Sequence, residues 1–164
     1  MWNMKTLIAY ASKTGTTERC ARELAAQLNG ADVFDLRSGS PDLSGYELVI
    51  IGGGIRAGML DKPAKKYIKI NTELLKTKKV ALFVCSADAE RADEFLKANV
   101  PAEVLTAAVC AESFGGEMDI NKQKGLFKFF LKKMLAASEK KGNPLPRVLP
   151  ERIESFAEKL KRLG

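Results

Sequence analysis

Four hydroxyl-bearing residues crowd around one glycine near the start of the chain, in Ser12-Lys13-Thr14-Gly15-Thr16-Thr17. Hydroxyls and backbone amides donate hydrogen bonds to an anion, glycine lets the backbone come close, and Lys13 adds a full positive charge. The apolar run Leu7-Ile8-Ala9-Tyr10 precedes this stretch. Cys20, Ala21, Leu24, Ala25 and Leu28 follow it with the period of a helix. The expected order is strand, loop, helix. The first amides of a helix have no partner within it and carry partial positive charge, so a phosphate held there satisfies them. The plainer use of the same residues is a helix cap formed by Thr16 or Thr17.

Two other phosphate patterns can be weighed against this one. A Walker A loop carries glycines ahead of its Lys-Ser/Thr pair, whereas Lys13-Thr14 precedes Gly15 and no glycine stands upstream. Gly52-Gly53-Gly54-Ile55-Arg56-Ala57 has the form G-x-G-x-x-A, but it follows a later strand and Met59-Leu60-Asp61-Lys62-Pro63 delays the next helix. The chain contains no histidine, which excludes Ser-His-Asp and Cys-His nucleophiles and removes the commonest metal ligand. Three cysteines, Cys20, Cys85 and Cys110, include no C-x-x-C pair and read as reduced thiols rather than a disulfide framework or zinc site. Redox chemistry here would be carried by a cofactor.

The residues at this loop resemble a known family. Ser12-x-Thr14-Gly15-x-Thr17 followed by Glu18 is similar to the flavodoxin phosphate-loop pattern, T/S-x-T-G-x-T. Leu43-x-x-Tyr46-x-x-Val49-Ile50-x-Gly52 resembles that family's lead into the third strand and first flavin loop. The resemblance implies FMN as cofactor and an electron-transferring oxidoreductase in which the flavin, not a side chain or metal, does the chemistry. It assigns the phosphate to Ser12, Lys13, Thr14, Gly15, Thr16 and Thr17. It assigns the ring to two further loops, Gly53, Gly54, Ile55 and Arg56, and Cys85, Ser86, Ala87 and Asp88. A cation such as Arg56 near the ring favours the anionic reduced flavin. Many flavodoxins stack an aromatic side chain on the ring. This chain has none from Gly52 to Leu60 or from Cys85 to Glu94, so Ile55 and Met59 are expected to pack there.

Short apolar runs alternating with helical patterns must position these loops. Strands are predicted at Leu7 to Tyr10, Val33 to Leu36, Leu48 to Ile51, Val80 to Cys85 and Val104 to Ala111, the last three buried on both faces. Helices are predicted at Thr17 to Leu28, Lys62 to Asn71 and Ala89 to Lys97, with Asp88 capping the third. The expected fold is a three-layer α/β sandwich of flavodoxin-like form, its five-stranded parallel sheet in the order 2-1-3-4-5. Ligands then bind beyond the carboxyl ends of the strands, where the order reverses between strands 1 and 3. A response-regulator receiver shares the fold but needs acidic groups where this chain has Ala11-Ser12 and Gly52-Gly53.

The 164 residues suit one domain spanning 1–164. No run approaches the roughly 18 apolar residues of a membrane span, and Met1 to Lys5 leads straight into a strand, so a cytoplasmic location is expected. The net charge is +7, with residues 1–120 near neutral (15 Lys/Arg against 16 Asp/Glu) and residues 121–164 strongly basic (12 against 4). A helix is predicted over about 121–138 as an addition after strand 5, with Leu126, Phe127, Phe130, Leu131, Met134 and Leu135 on one face and Lys122, Lys124, Lys128, Lys132 and Lys133 around the rest. The final helix is expected at about 150–163. An inserted basic helix looks like the menaquinone-dependent protoporphyrinogen dehydrogenase branch of the flavodoxin superfamily, which implies a quinone or porphyrinogen partner. Lys122, Lys128, Lys132 and Lys133 would then touch the inner face of an anionic membrane. Alternatively the helix packs its phenylalanines on the domain. A rival of another class is a flavin-free adaptor that binds an acidic partner through this basic face; nothing points to nucleic acid.

Overall fold

The computed structural model describes residues 2–117, 125–142 and 145–164. Strand β1 (Thr6–Ala11) is buried throughout and leads into helix α1 (Thr16–Gln27), whose inward face is Cys20, Ala21 and Leu24. Strand β2 (Asp32–Asp35) follows, then β3 (Leu48–Arg56), which runs five residues past its predicted end. It continues because Ile55 and Arg56 pair antiparallel with a short strand β4 (Met59–Leu60) across a two-residue turn. Ala57 and Gly58 in that turn have φ of 50° and 76°, as a tight hairpin of this kind requires.

Helix α2 (Lys62–Ile70) starts at Asp61 with Pro63 in its first turn, and a short helix α3 (Thr72–Leu75) completes the crossover to β5 (Lys79–Cys85). A single 3-10 turn at Ala89–Arg91 precedes α4 (Ala92–Asn99), so Arg91 rather than Asp88 stands at the helix boundary. The predicted fifth strand divides in two. Val104 and Leu105 donate their amides to the Pro101 carbonyl, which turns Ala102–Ala107 into helix α5, and the strand proper, β6, is Ala108–Ser113. Nor is β6 buried on both faces. Its exposure alternates along the strand, which lies at the sheet edge and among the described residues pairs only with β5.

The order β2-β1-β3-β5-β6, all parallel, is the expected 2-1-3-4-5 with the β3–β4 hairpin added. One apolar layer joins the sheet to α2, α3, α4 and α5. The other joins it to α1 and to α7 (Pro150–Lys161), preceded along the chain by α6 (Gly125–Lys140). In the second layer Phe83 stacks on Phe114 at 4.6 Å, and Phe156 of α7 meets Phe114 edge-on at 5.1 Å.

The inserted helix departs from a packed helix. Leu126, Phe130 and Met134 are 88%, 62% and 50% exposed, and Phe129 is also exposed. Lys122 and Lys124 lie outside the described residues, as do the side chains of Phe127 and Leu131. No helix among the described residues is long and apolar enough to cross a membrane.

Candidate functional site

Parallel pairing brings the carboxyl ends of the three central strands level. Ala11 of β1 faces Gly53 of β3, and Gly53 and Gly54 face Val84 and Cys85 of β5. The chain must leave all three strands at this end, and the loops it forms enclose a cleft of about 550 Å³. That volume lies within the usual range for small-molecule sites.

One wall is the hydroxyl loop. Ser12, Lys13, Thr14, Thr16 and Thr17 line the cleft, while Gly15 sits behind them as the N-cap of α1 with φ of 94°. A left-handed conformation there favours glycine. The Gly15 amide donates to Ser12 Oγ at 3.0 Å, which fixes the turn. The first bond within the helix runs from the Arg19 amide to the Gly15 carbonyl at 3.0 Å, so the amides of Thr16, Thr17 and Glu18 lie outside the helical ladder. No side chain caps the helix, and Thr16 and Thr17 are buried. Both residues line the cleft. Loose helix amides, buried hydroxyls and a nearby lysine are the donor set that a phosphate needs.

The opposite walls come from Gly54–Gly58 and from Cys85–Asp88. The Ser86 amide donates to the Gly115 carbonyl at 3.0 Å, and its Oγ accepts from the Asp88 amide at 3.2 Å, so this loop is tied at both ends. A Cβ on Gly116 would come within 2.9 Å of the Ser86 backbone. Cys85 is buried, and its hydrogen bond with the Cys20 thiol, reinforced by burial, pushes its pKa well above the usual thiol value. It is protonated near neutrality and no nucleophile.

Two of the three carboxylates that line the cleft, Asp61 and Glu117, are ion-paired, and Asp88 is the third. Asp61 is almost fully buried and takes Arg37 at 3.3 Å and Lys13 at 3.9 Å, and Glu117 pairs with Arg19 at 2.7 Å. Arg56 and Arg91 also line the cleft, with Arg91 paired to Glu94. An anion-binding end at the hydroxyl loop, with two further walls beyond it, suits a ligand that carries a phosphate at one end.

A family model described as "Flavodoxin domain" matches residues 7–144. The chain belongs to the flavodoxin-domain family. A curated relative, the flavodoxin-like domain-containing protein BilS of Clostridioides difficile (strain CD3), is 28% identical over 119 residues, covering 65% of each chain. The flavodoxin-domain chain thus spans a little under two thirds of that relative's length. Among solved structures, a Lactobacillus acidophilus flavoprotein in complex with FMN is 16% identical, with a TM-score of 0.53 over 68% of this chain and 93% of its own. Two-electron reduced Megasphaera elsdenii flavodoxin is 19% identical, with a TM-score of 0.54 over 66% and 84%. These likenesses are likenesses of fold.

Not every residue assigned to the flavin loops reaches the cleft of this flavodoxin-domain protein. Gly53 lies in the sheet, where a Cβ would come 2.7 Å from Leu60 Cδ1, and its neighbour Gly52 makes room for the Phe83 ring. Those two glycines serve packing. Only Gly54 of the three lines the cleft. Met59 is 55% exposed and outside the lining, so of the two apolar residues expected to pack on the ring only Ile55 lines the cleft. Phe95 was missed because its spacing in α4 reads as core. It is 6% exposed, lines the cleft and carries the Arg91 guanidinium 4.8 Å above its ring. Asp61, Gly116, Glu117 and Met134 were missed as well. An aspartate two residues ahead of Pro63 also fits a plain helix start, which hides the place of Asp61 in the cleft.

Proposed function

We propose that this protein binds FMN in the cleft beyond β1, β3 and β5 and transfers electrons through it. The observation that carries the proposal is the convergence of the helix amides and hydroxyls of Ser12–Thr17 with the two further loops on one cleft at the strand-order reversal. When bound, FMN supplies reversible electron transfer at its ring system. The protein's part is placement. Ser12, Thr14, Thr16 and Thr17, with the first amides of α1, would hold the phosphate, Lys13 would balance its charge, and Gly15 would keep the turn. Gly54, Ile55, Arg56 and Phe95 would bound the ring on one side, and Cys85, Ser86, Ala87 and Asp88 on the other. Gly53 would contribute by letting Leu60 pack beneath them.

Fluorescence quenching of FMN and of riboflavin tests this reading. FMN is expected to bind at least about tenfold more tightly than riboflavin, since the charge-assisted phosphate bonds are worth more than about 1.4 kcal/mol in sum. Thr17→Val keeps the shape, removes one donor, and should weaken FMN about tenfold while leaving riboflavin unchanged. Equal affinity for the two flavins would refute the phosphate assignment. No uptake of either would leave a flavin-free adaptor.

The finer reading is a protoporphyrinogen dehydrogenase-like enzyme passing electrons to a quinone, as one domain over 1–164, cytoplasmic and peripheral to the inner face of the membrane. Its support is α6, which presents Leu126, Phe129 and Phe130 to solvent beside Lys128, Lys132 and Lys133 and sends Met134 to the cleft rim. An apolar strip flanked by lysines suits an anionic interface.

A further inference from the structure

Near-neutral charge over residues 1–120 hides a strongly basic surface in the fold. Helix α2 turns Ala64, Tyr67 and Ile68 inward, and its outward stripe is Lys62, Lys66 and Lys69, spaced i, i+4, i+7 on one face. The stripe spans about 10 Å of helix axis. Beside it the loop after β2 brings Arg37 and Ser38–Ser40, and together they bound a groove of about 1020 Å³ that no carboxylate among the described residues lines. Lys62, Lys66 and Lys69 have no ion-pair partner among the described residues. Like charges four residues apart oppose a helix, so the stripe carries an electrostatic cost that a negative surface laid against it would remove.

We propose that this groove docks the acidic face of a redox-partner protein. The partner's redox role rests on the flavin reading above, while the docking chemistry stands on the charges alone. Two features favour an extended acidic surface over a small anion. The N-terminus of α2, where a phosphate would sit, already holds the buried Asp61 carboxylate 3.3 Å from Arg37. The remaining positive charge is strung along the helix flank and ends at Ile70, an isoleucine 67% exposed, which gives the polar stripe an apolar terminus of the sort found in protein interfaces. The groove also adjoins the cleft, because Arg37 of the groove and Lys13 of the hydroxyl loop share Asp61. A partner seated there lies next to the flavin loops.

The test uses an acidic plant-type ferredoxin as probe and the full chain with and without added FMN. Binding is titrated at low ionic strength and at roughly 0.3 M salt, where the screening length falls below about 8 Å. Zero-length carbodiimide cross-links are mapped in parallel. Wild type is expected to bind more weakly in salt and to cross-link through Lys62, Lys66 or Lys69. Lys62→Glu/Lys66→Glu/Lys69→Glu should lose at least about tenfold in affinity at low salt. The glutamine triple should fall between, which guards against a folding defect, and Lys128→Glu/Lys132→Glu should bind like wild type. Failure of wild type to bind, cross-links confined to α6, or equal binding by the glutamate triple would overturn the proposal. Flavin quenching in the same samples reports on the cofactor separately. A protein that takes up no flavin but still cross-links through α2 keeps the docking face and loses the electron-transfer reading.

Discussion

Glycine at positions 52 and 54 illustrates how one residue type serves two ends within three positions. A Cβ at Gly52 would lie 2.0 Å from the Phe83 ring, whereas at Gly54 it would meet Thr17 Oγ1 at 3.6 Å and Asp61 Oδ2 at 3.9 Å, both ordinary contacts. Gly52→Ala is therefore expected to cost about 3 kcal/mol through overpacking, read from the urea midpoint. Gly54→Ala should keep its stability and weaken flavin binding, because its new methyl stands at the cleft. Tyr67 gives a pH-dependent counterpart. Its phenol is buried and donates to the Pro41 carbonyl at 2.9 Å; burial, then the nearby Asp42 and Tyr46 charges, push its pKa well above the ordinary value. The folded state thus holds this proton more tightly than the unfolded chain. Its contribution is intact below pH ~10 and is lost as the pH rises beyond that. Tyr67→Phe should lower stability by about 1 kcal/mol at neutral pH yet flatten the loss above pH ~10, measured by urea unfolding across that range. At this scale the hydroxyl loop was legible, since hydroxyls ahead of a helix have few uses. The packing role of Gly52 and Gly53 was not, because the side chains that require them, Phe83 and Leu60, come from other elements.

Elements buried on both faces announce themselves by unbroken apolar runs, and β1, β3 and β5 stand where those runs are. The run from Val104 to Ala111 misled because it is apolar without a period. Only the fixed geometry of Pro101, whose carbonyl receives two amides at 3.0 and 3.1 Å, shows why its first half coils. Hairpin β3–β4 was invisible for a related reason. Ala57 adopts a left-handed φ of 50° without being glycine or asparagine, so the turn carries no signature at its first position. The amphipathic period of α6 was legible, but periodicity says which residues share a face and not what covers it. With Leu126, Phe129 and Phe130 exposed, α6 is expected to carry the protein onto phosphatidylserine vesicles in a sedimentation assay and not onto phosphatidylcholine alone. Lys128→Glu/Lys132→Glu should abolish that sedimentation, and equal behaviour on both lipids would count against a charge-guided surface.

Across the whole molecule, the order of elements along the chain was enough to specify the sheet, since right-handed crossovers leave few arrangements for five parallel strands. Charge was not legible at this scale, because a count along the chain cannot show that the cations of α2 gather on one side while the carboxylates of the same half stand elsewhere or, like Asp61, are paired. Helix α7 limits where this domain can be cut. The family match ends at residue 144, yet Ile153, Phe156, Ala157 and Leu160 of α7 are at most 1% exposed and close the layer that also holds Phe83 and Phe114. Removing 145–164 would unroof that layer and free the bridge between Gly115 and Val148, next to the Gly115 carbonyl that ties down the Cys85–Asp88 loop. A fragment ending at 144 should bind a dye for exposed apolar surface and melt without a cooperative transition, whereas the full chain unfolds in one step. The segment that the family model matches thus leaves out α7, and a library or fusion designed on that segment would discard one side of its own foundation.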